Sequence, residues 1–250
     1  MLSDDQVLAL FKNLINLHGL FGLFAVCFFW TALFAKKGAL LHLRSGKLYT
    51  LAILGLLFPG MLSDLVTIFR PLITHPNAHP AFSIKLSLFT IFLSITILSN
   101  MILGYQFIKY KADLKKILNV TTVTLHLLIF FVGLTISILG LLESNFGLIF
   151  GGLLGLFLPF SFYKTVKRIF KNDISPKSYI WFHLRSIILS GTAIHIAFIF
   201  FGFTKRYFPA FSMYENNLMI WVAPLPVILS IDYFLNKRLR PLFDVPSKNS

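Results

Sequence analysis

The stretch "AKKGALLHLRSGKLYT", Ala35–Thr50, places Lys36, Lys37, Arg44 and Lys47 between two long runs that carry almost no charge. An uncharged run of about 20 residues matches the thickness of a bilayer when it is helical. A cluster of lysine and arginine beside such a run marks the side of the membrane that stays cytoplasmic. The stretch therefore reads as a cytoplasmic link between two membrane-spanning helices, with His42 lying among its cations.

The rest of the chain follows the same plan. Of its 250 residues, 56% are hydrophobic and 13% charged, with a mean hydropathy of +0.79. A soluble domain carries about a quarter charged residues, so much of this apolar surface must meet lipid. The sequence predicts an all-α polytopic transmembrane bundle forming one integral membrane domain, residues 1–250. Seven helices are expected, over roughly 14–34, 48–69, 83–106, 118–142, 146–163, 180–203 and 217–235. The first run follows Asp4 and Asp5 and ends in lysines, so it reads as a retained helix rather than a secretory leader.

Charge sets the expected orientation. Alternate connectors hold 17 of the 23 lysines and arginines, the opposite set holds 5, and Arg185 lies within the sixth run. This predicts an outside N-terminus and a cytoplasmic C-terminus, in the bacterial inner membrane. The formal net charge of +14 sits in these connectors, which points to anionic lipid headgroups as the partner and away from nucleic acid. Trp30, Trp181 and Trp221 fall near helix ends, where interfacial aromatic anchors are expected. Cys27 is the only cysteine, which excludes an intramolecular disulfide or a thiolate metal cluster. Gly147, Gly151 and Gly155 share one face of the fifth helix. They suit close packing against a neighbouring helix or, alternatively, an oligomer contact.

Ionisable groups inside hydrocarbon are costly and mark candidate sites. Counted from the helix midpoints, His18 lies about 9 Å, Asp64 about 8 Å and His195 about 4–5 Å toward the outer side. His126, Asp232 and Arg185 lie about 6, 9 and 10 Å toward the inner side. His75 and His79 belong to the loop above the outer layer. Facing imidazoles can hold a haem iron axially, which makes His18, His195, His126 and His183 candidate cofactor residues and haem b the candidate cofactor. Alternatively, His18, Asp64 and His195 can bind zinc or another divalent metal. A third alternative is a hydrogen-bonded pair that only ties helices together. Arg185 and Asp232 suit a structural ion pair. Asn119, Thr122, His126, Gly133 and Ser137 recur at three, four or seven residues, so the fourth helix turns one narrow polar face inward.

"HGLFGLFAVCFFWTALFAKKGALLHLRSGKLY", His18–Tyr49, resembles the first hairpin of a family of uncharacterised, predicted bacterial membrane proteins, through His18, Gly22, Lys37, Gly38, His42, Gly46 and Tyr49. "WFHLRSIILSGTAIHIAF", Trp181–Phe198, is similar to a late helix of that family, with Ile187 where methionine is usual. The resemblance implies a polytopic membrane fold and no particular activity. It also implies a specific loop shape around His42, Gly46 and Tyr49, with the imidazole capping the second helix. The function expected first from the intramembrane histidines is a b-type haem electron carrier; a metal-dependent hydrolase acting on lipid, and a proton-coupled transporter or structural membrane component, are the alternatives.

Overall fold

A computed structural model describes residues 3–73, 84–175, 177–199 and 224–243. His75, His79, Lys205, Arg206, Trp221 and Lys248 lie outside the described residues. Seven α-helices occur among the described residues, and no strand does. They are α1 (Asp4–Phe34), α2 (Leu40–Ile73), α3 (Ile84–Lys109), α4 (Val120–Leu142), α5 (Phe146–Phe170), α6 (Ser178–Ala197) and α7 (Pro224–Phe234). The first six are long and apolar enough to cross a membrane. Of the seventh expected span, residues 217–223 lie outside the described part.

The helices gather into two compact units, Met1–Ser94 and Ile95–Ser250, with α3 contributing a part to each. Large apolar side chains stay uncovered along them, Leu23 by 52% and Phe58 by 73%, for example. Such surface is stable against lipid and not against water.

In the first unit, α1 starts with a capping box: Ser3 Oγ accepts from the Gln6 amide, and Gln6 Oε1 accepts from the Ser3 amide. These bonds satisfy amides that have no partner within a helix. The helix therefore begins ten residues before the expected start, and α5 likewise runs seven residues further than expected, to Phe170. The reason is common to both. A hydropathy pattern stops where charges begin, at Lys12 or Lys164, but the backbone hydrogen-bond ladder continues into the aqueous layer.

Between α1 and α2 the link is short, and the expected loop around His42, Gly46 and Tyr49 is a helix instead. Gly38, at φ 81°, supplies the left-handed turn, and α2 then starts at Leu40. Nothing from Leu40 to Tyr49 interrupts helix formation, and Gly46 is an ordinary helical position with open space where a Cβ would stand. His42 caps the other helix. Its Nδ1 lies 2.9 Å from the Ala32 carbonyl, while Lys37 Nζ donates to the carbonyls of Leu33 at 2.6 Å and Ala32 at 3.2 Å. Both side chains thus satisfy the end of α1, where the helix dipole favours positive charge. Partial desolvation lowers the Lys37 pKa.

In the second unit, α4 and α5 form a hairpin through Ser144, at φ 54°, and the Asn145 cap, whose Oδ1 accepts from the Leu148 amide. The two helices meet through small residues. A Cβ on Gly133 would come 2.7 Å from the Gly155 Cα, and one on Gly152 would overlap the Ser137 hydroxyl. Gly151 and Gly155 are both buried, and Gly155 lies against Gly133 of α4. One end of the unit is closed by Leu103, Phe107, Ile117, Ile169, Trp181, Phe182 and Leu235. Trp181 is 3% exposed and so belongs to this core, unlike the anchor expected from its position near a helix end. Trp30, 42% exposed and stacked on Phe34, does face outward.

Candidate functional site

The second unit holds a cavity of about 70 Å³. Its polar lining comes from Ser99 and Asn100 on α3, His126 on α4, Ser161 and Thr165 on α5, and Arg185 and Ser186 on α6. Phe107, Phe157, Phe162 and Phe182 supply much of the apolar wall. A polar space of this size holds several waters, each needing two to four polar partners.

Several of these polar groups are held by their own helix or a neighbour. The stripe on α4 faces inward, with Thr122, His126, Gly133 and Ser137 all buried. His126 Nδ1 lies 2.8 Å from the Thr122 carbonyl, and its ring stacks on Phe162 with centroids 3.8 Å apart. One turn earlier, the Thr122 hydroxyl and the Asn119 amide both donate to Gln106 Oε1 on α3, at 2.8 and 3.1 Å. Asn100 donates to the Thr96 carbonyl and Thr165 to the Ser161 carbonyl, which fixes their side chains along their own helices.

Charge enters from α6 and α7. Arg185 Nε donates to Asp232 Oδ1 at 2.7 Å, and Asn236 Nδ2 donates to Asp232 Oδ2 at 3.1 Å. Both carboxylate oxygens are therefore engaged. The two charged side chains remain 28% and 29% exposed, so the pair is only partly withdrawn from its surroundings. His183, two residues before Arg185, lies with Nδ1 2.7 Å from the Gly104 carbonyl and so ties α6 to α3. Gly104 makes that approach possible, because a Cβ there would lie 2.9 Å from Ile187.

The other candidates are placed differently. His18 lies in the first unit, its Nδ1 2.9 Å from the Leu56 carbonyl and its ring filling the space where a Gly60 Cβ would stand. Asp64 follows Gly60 by four residues and is 7% exposed. His195 lies in the second unit, with Nδ1 2.7 Å from the Gly191 carbonyl of its own helix. Among the described residues, no three histidine, cysteine, aspartate or glutamate side chains group as a metal site. Sequence reasoning missed Gln106, and it missed Ser87 and Thr90, whose hydroxyls face Asp64. A signal existed for the last two: with Ser94 they repeat at three and four residues along α3.

Comparisons of the chain with protein-family models, with curated proteins and with solved structures give no match. Function has to be argued from these side chains alone.

Proposed function

We propose that the chain is a seven-span protein of the bacterial inner membrane, N-terminus outside, which couples proton movement to transport of a small polar solute. The orientation rests on the 17 to 5 division of cations between alternate connectors. The likeness of the first hairpin to a family of multi-pass membrane proteins belongs to the same reading. The observation that carries the transport function is the Arg185–Asp232 pair at 2.7 Å, with Arg185 lining a cavity that also holds His126, Asn100 and hydroxyls. Ionisable side chains at membrane depth line substrate paths and proton relays, and imidazole is the side chain that exchanges protons most readily near neutral pH. A purely structural pair would serve as well without an adjoining polar cavity.

The test uses the full chain in liposomes with a pH dye inside and mixed amino acids, sugars and short organic acids added outside. Solute-triggered acidification of the interior is expected, falling at least about tenfold in Asp232→Asn and in His126→Ala, as loss of a proton-transfer group does. No acidification above protein-free liposomes with any solute class would overturn the proposal.

A b-type haem carrier is the second reading. His18 in the first unit and, separately, His126 in the second place Nδ1 on a backbone carbonyl, which fixes in each the tautomer that offers Nε2 to a metal. A Soret band in the detergent-purified protein, lost in His18→Ala, supports that reading; a colourless protein from haem-replete cells rules it out.

A further inference from the structure

Asp64 lies on α2, 7% exposed, in a helix otherwise rich in leucine. A carboxyl group in such surroundings either keeps its proton or needs a counter-charge. Among the described residues, the side chains that face it are Thr90 and Ser87 on α3, with no lysine, arginine or histidine. The Ser63 and Thr67 hydroxyls, on either side of it, are already given to the carbonyls of Gly60 and Ser63. Thr90 Oγ1 also reaches the Leu86 and Ser87 carbonyls, at 2.9 and 3.1 Å.

Ser87 is the odd member of the group. It is 0% exposed, faces Asp64, and its hydroxyl makes no hydrogen bond of ordinary geometry. A wholly buried hydroxyl left this way forfeits a hydrogen bond that water would have supplied. Its two lone pairs and the Asp64 carboxylate are all oxygen acceptors. Hydrogen bonding between them uses one hydroxyl proton and leaves the carboxylate charge unbalanced. A hard cation resolves both deficits, since such ions take carboxylate, hydroxyl and carbonyl oxygens together. One carboxylate balances a monovalent ion; the sites of calcium and other divalent ions gather several.

We propose that Asp64, Ser87 and Thr90 form a binding site for a monovalent cation, sodium, between α2 and α3. The site uses residues of the first unit alone and is independent of the cavity in the second. It places a cation-responsive element in a chain whose Arg185 and Asp232 are already paired to each other.

The test is thermal unfolding of the detergent-purified full chain in sodium, potassium and choline chloride at one ionic strength. A ligand that binds only the folded state raises the melting temperature as its concentration passes the dissociation constant. The expected result is a saturable rise in sodium, absent in choline, and abolished in Asp64→Asn. Ser87→Ala keeps the carboxylate and removes one ligand, so it should need about tenfold more sodium for half the effect, a loss of one charge-assisted contact. It decides the matter if Asp64→Asn does not fold. Equal melting temperatures in all three salts overturn the proposal. So does a wild-type protein that is stabilised by acid alone and ignores sodium, which would make Asp64 a proton site, or an unchanged sodium response in either variant.

Discussion

Gly152→Val is expected to be among the most destabilising single changes in this protein, at about 3 kcal/mol or more, and to separate α4 from α5. The reasoning starts from the backbone. A Cβ at Gly152 would overlap the Ser137 hydroxyl and lie about 2.5 Å from the Gly133 carbonyl and 2.6 Å from the Ser137 amide. A side chain can turn aside, but two backbone groups cannot, so α4 must move away along much of the hairpin. Overpacking in a tight core costs about 1–3 kcal/mol when the neighbours can adjust, and here adjustment is blocked. Separating the helices also removes the dispersion contacts that hold them, because lipid offers no hydrophobic drive for re-association. Ser137→Ala combined with Gly152→Ala should recover only part of the loss, because the Gly133 carbonyl stays in place. Reversible unfolding in mixed micelles measures both. A Gly152→Val protein as stable as the wild type would mean that α4 and α5 do not approach this closely.

The second large effect concerns Arg185 and Asp232. Asp232→Ala is expected to cost about 2–4 kcal/mol, because it leaves a guanidinium without its partner. The figure lies below the 3–5 kcal/mol typical of fully buried pairs, since each side chain is more than a quarter exposed. The double replacement Arg185→Met with Asp232→Leu removes both charges and should return to within about 1 kcal/mol of wild type. Its transport should nevertheless stay lost, because the charged pair beside the cavity is gone. Stability regained without activity separates the two roles of the pair. Stability and transport regained together would reduce it to a structural tie between α6 and α7.

Sequence periodicity reveals a great deal of this architecture, and the residues show why it stops where it does. Long uncharged runs specify the six long helices, since lipid leaves a single chain segment few other ways to satisfy its backbone. The inward face of α4 follows from the spacing of Thr122, His126, Gly133 and Ser137 alone. Helix ends are less legible, because charged residues such as Lys12 and Lys164 end a hydropathy window without ending a helix. Contacts between helices are the least legible. Nothing in the order of residues says that His42 caps α1, that Trp181 turns into the core, or that α4 covers Gly155. The same limit applies to the sites. Charge and depth single out Asp64 and Arg185, but that Ser87 faces the one and that the Asn236 amide bonds the partner of the other are contacts that only the fold supplies.

The account depends most on the chain crossing the membrane with its cationic connectors in the cytoplasm, and single-cysteine labelling tests this directly. With Cys27 replaced by alanine, Glu143→Cys reports the short α4–α5 link and Lys171→Cys reports the link after α5, both at exposed positions. A membrane-impermeant maleimide added to spheroplasts should label the first variant at once and the second only after the membrane is opened. The reverse pattern, or equal labelling of both in sealed spheroplasts, would contradict the account.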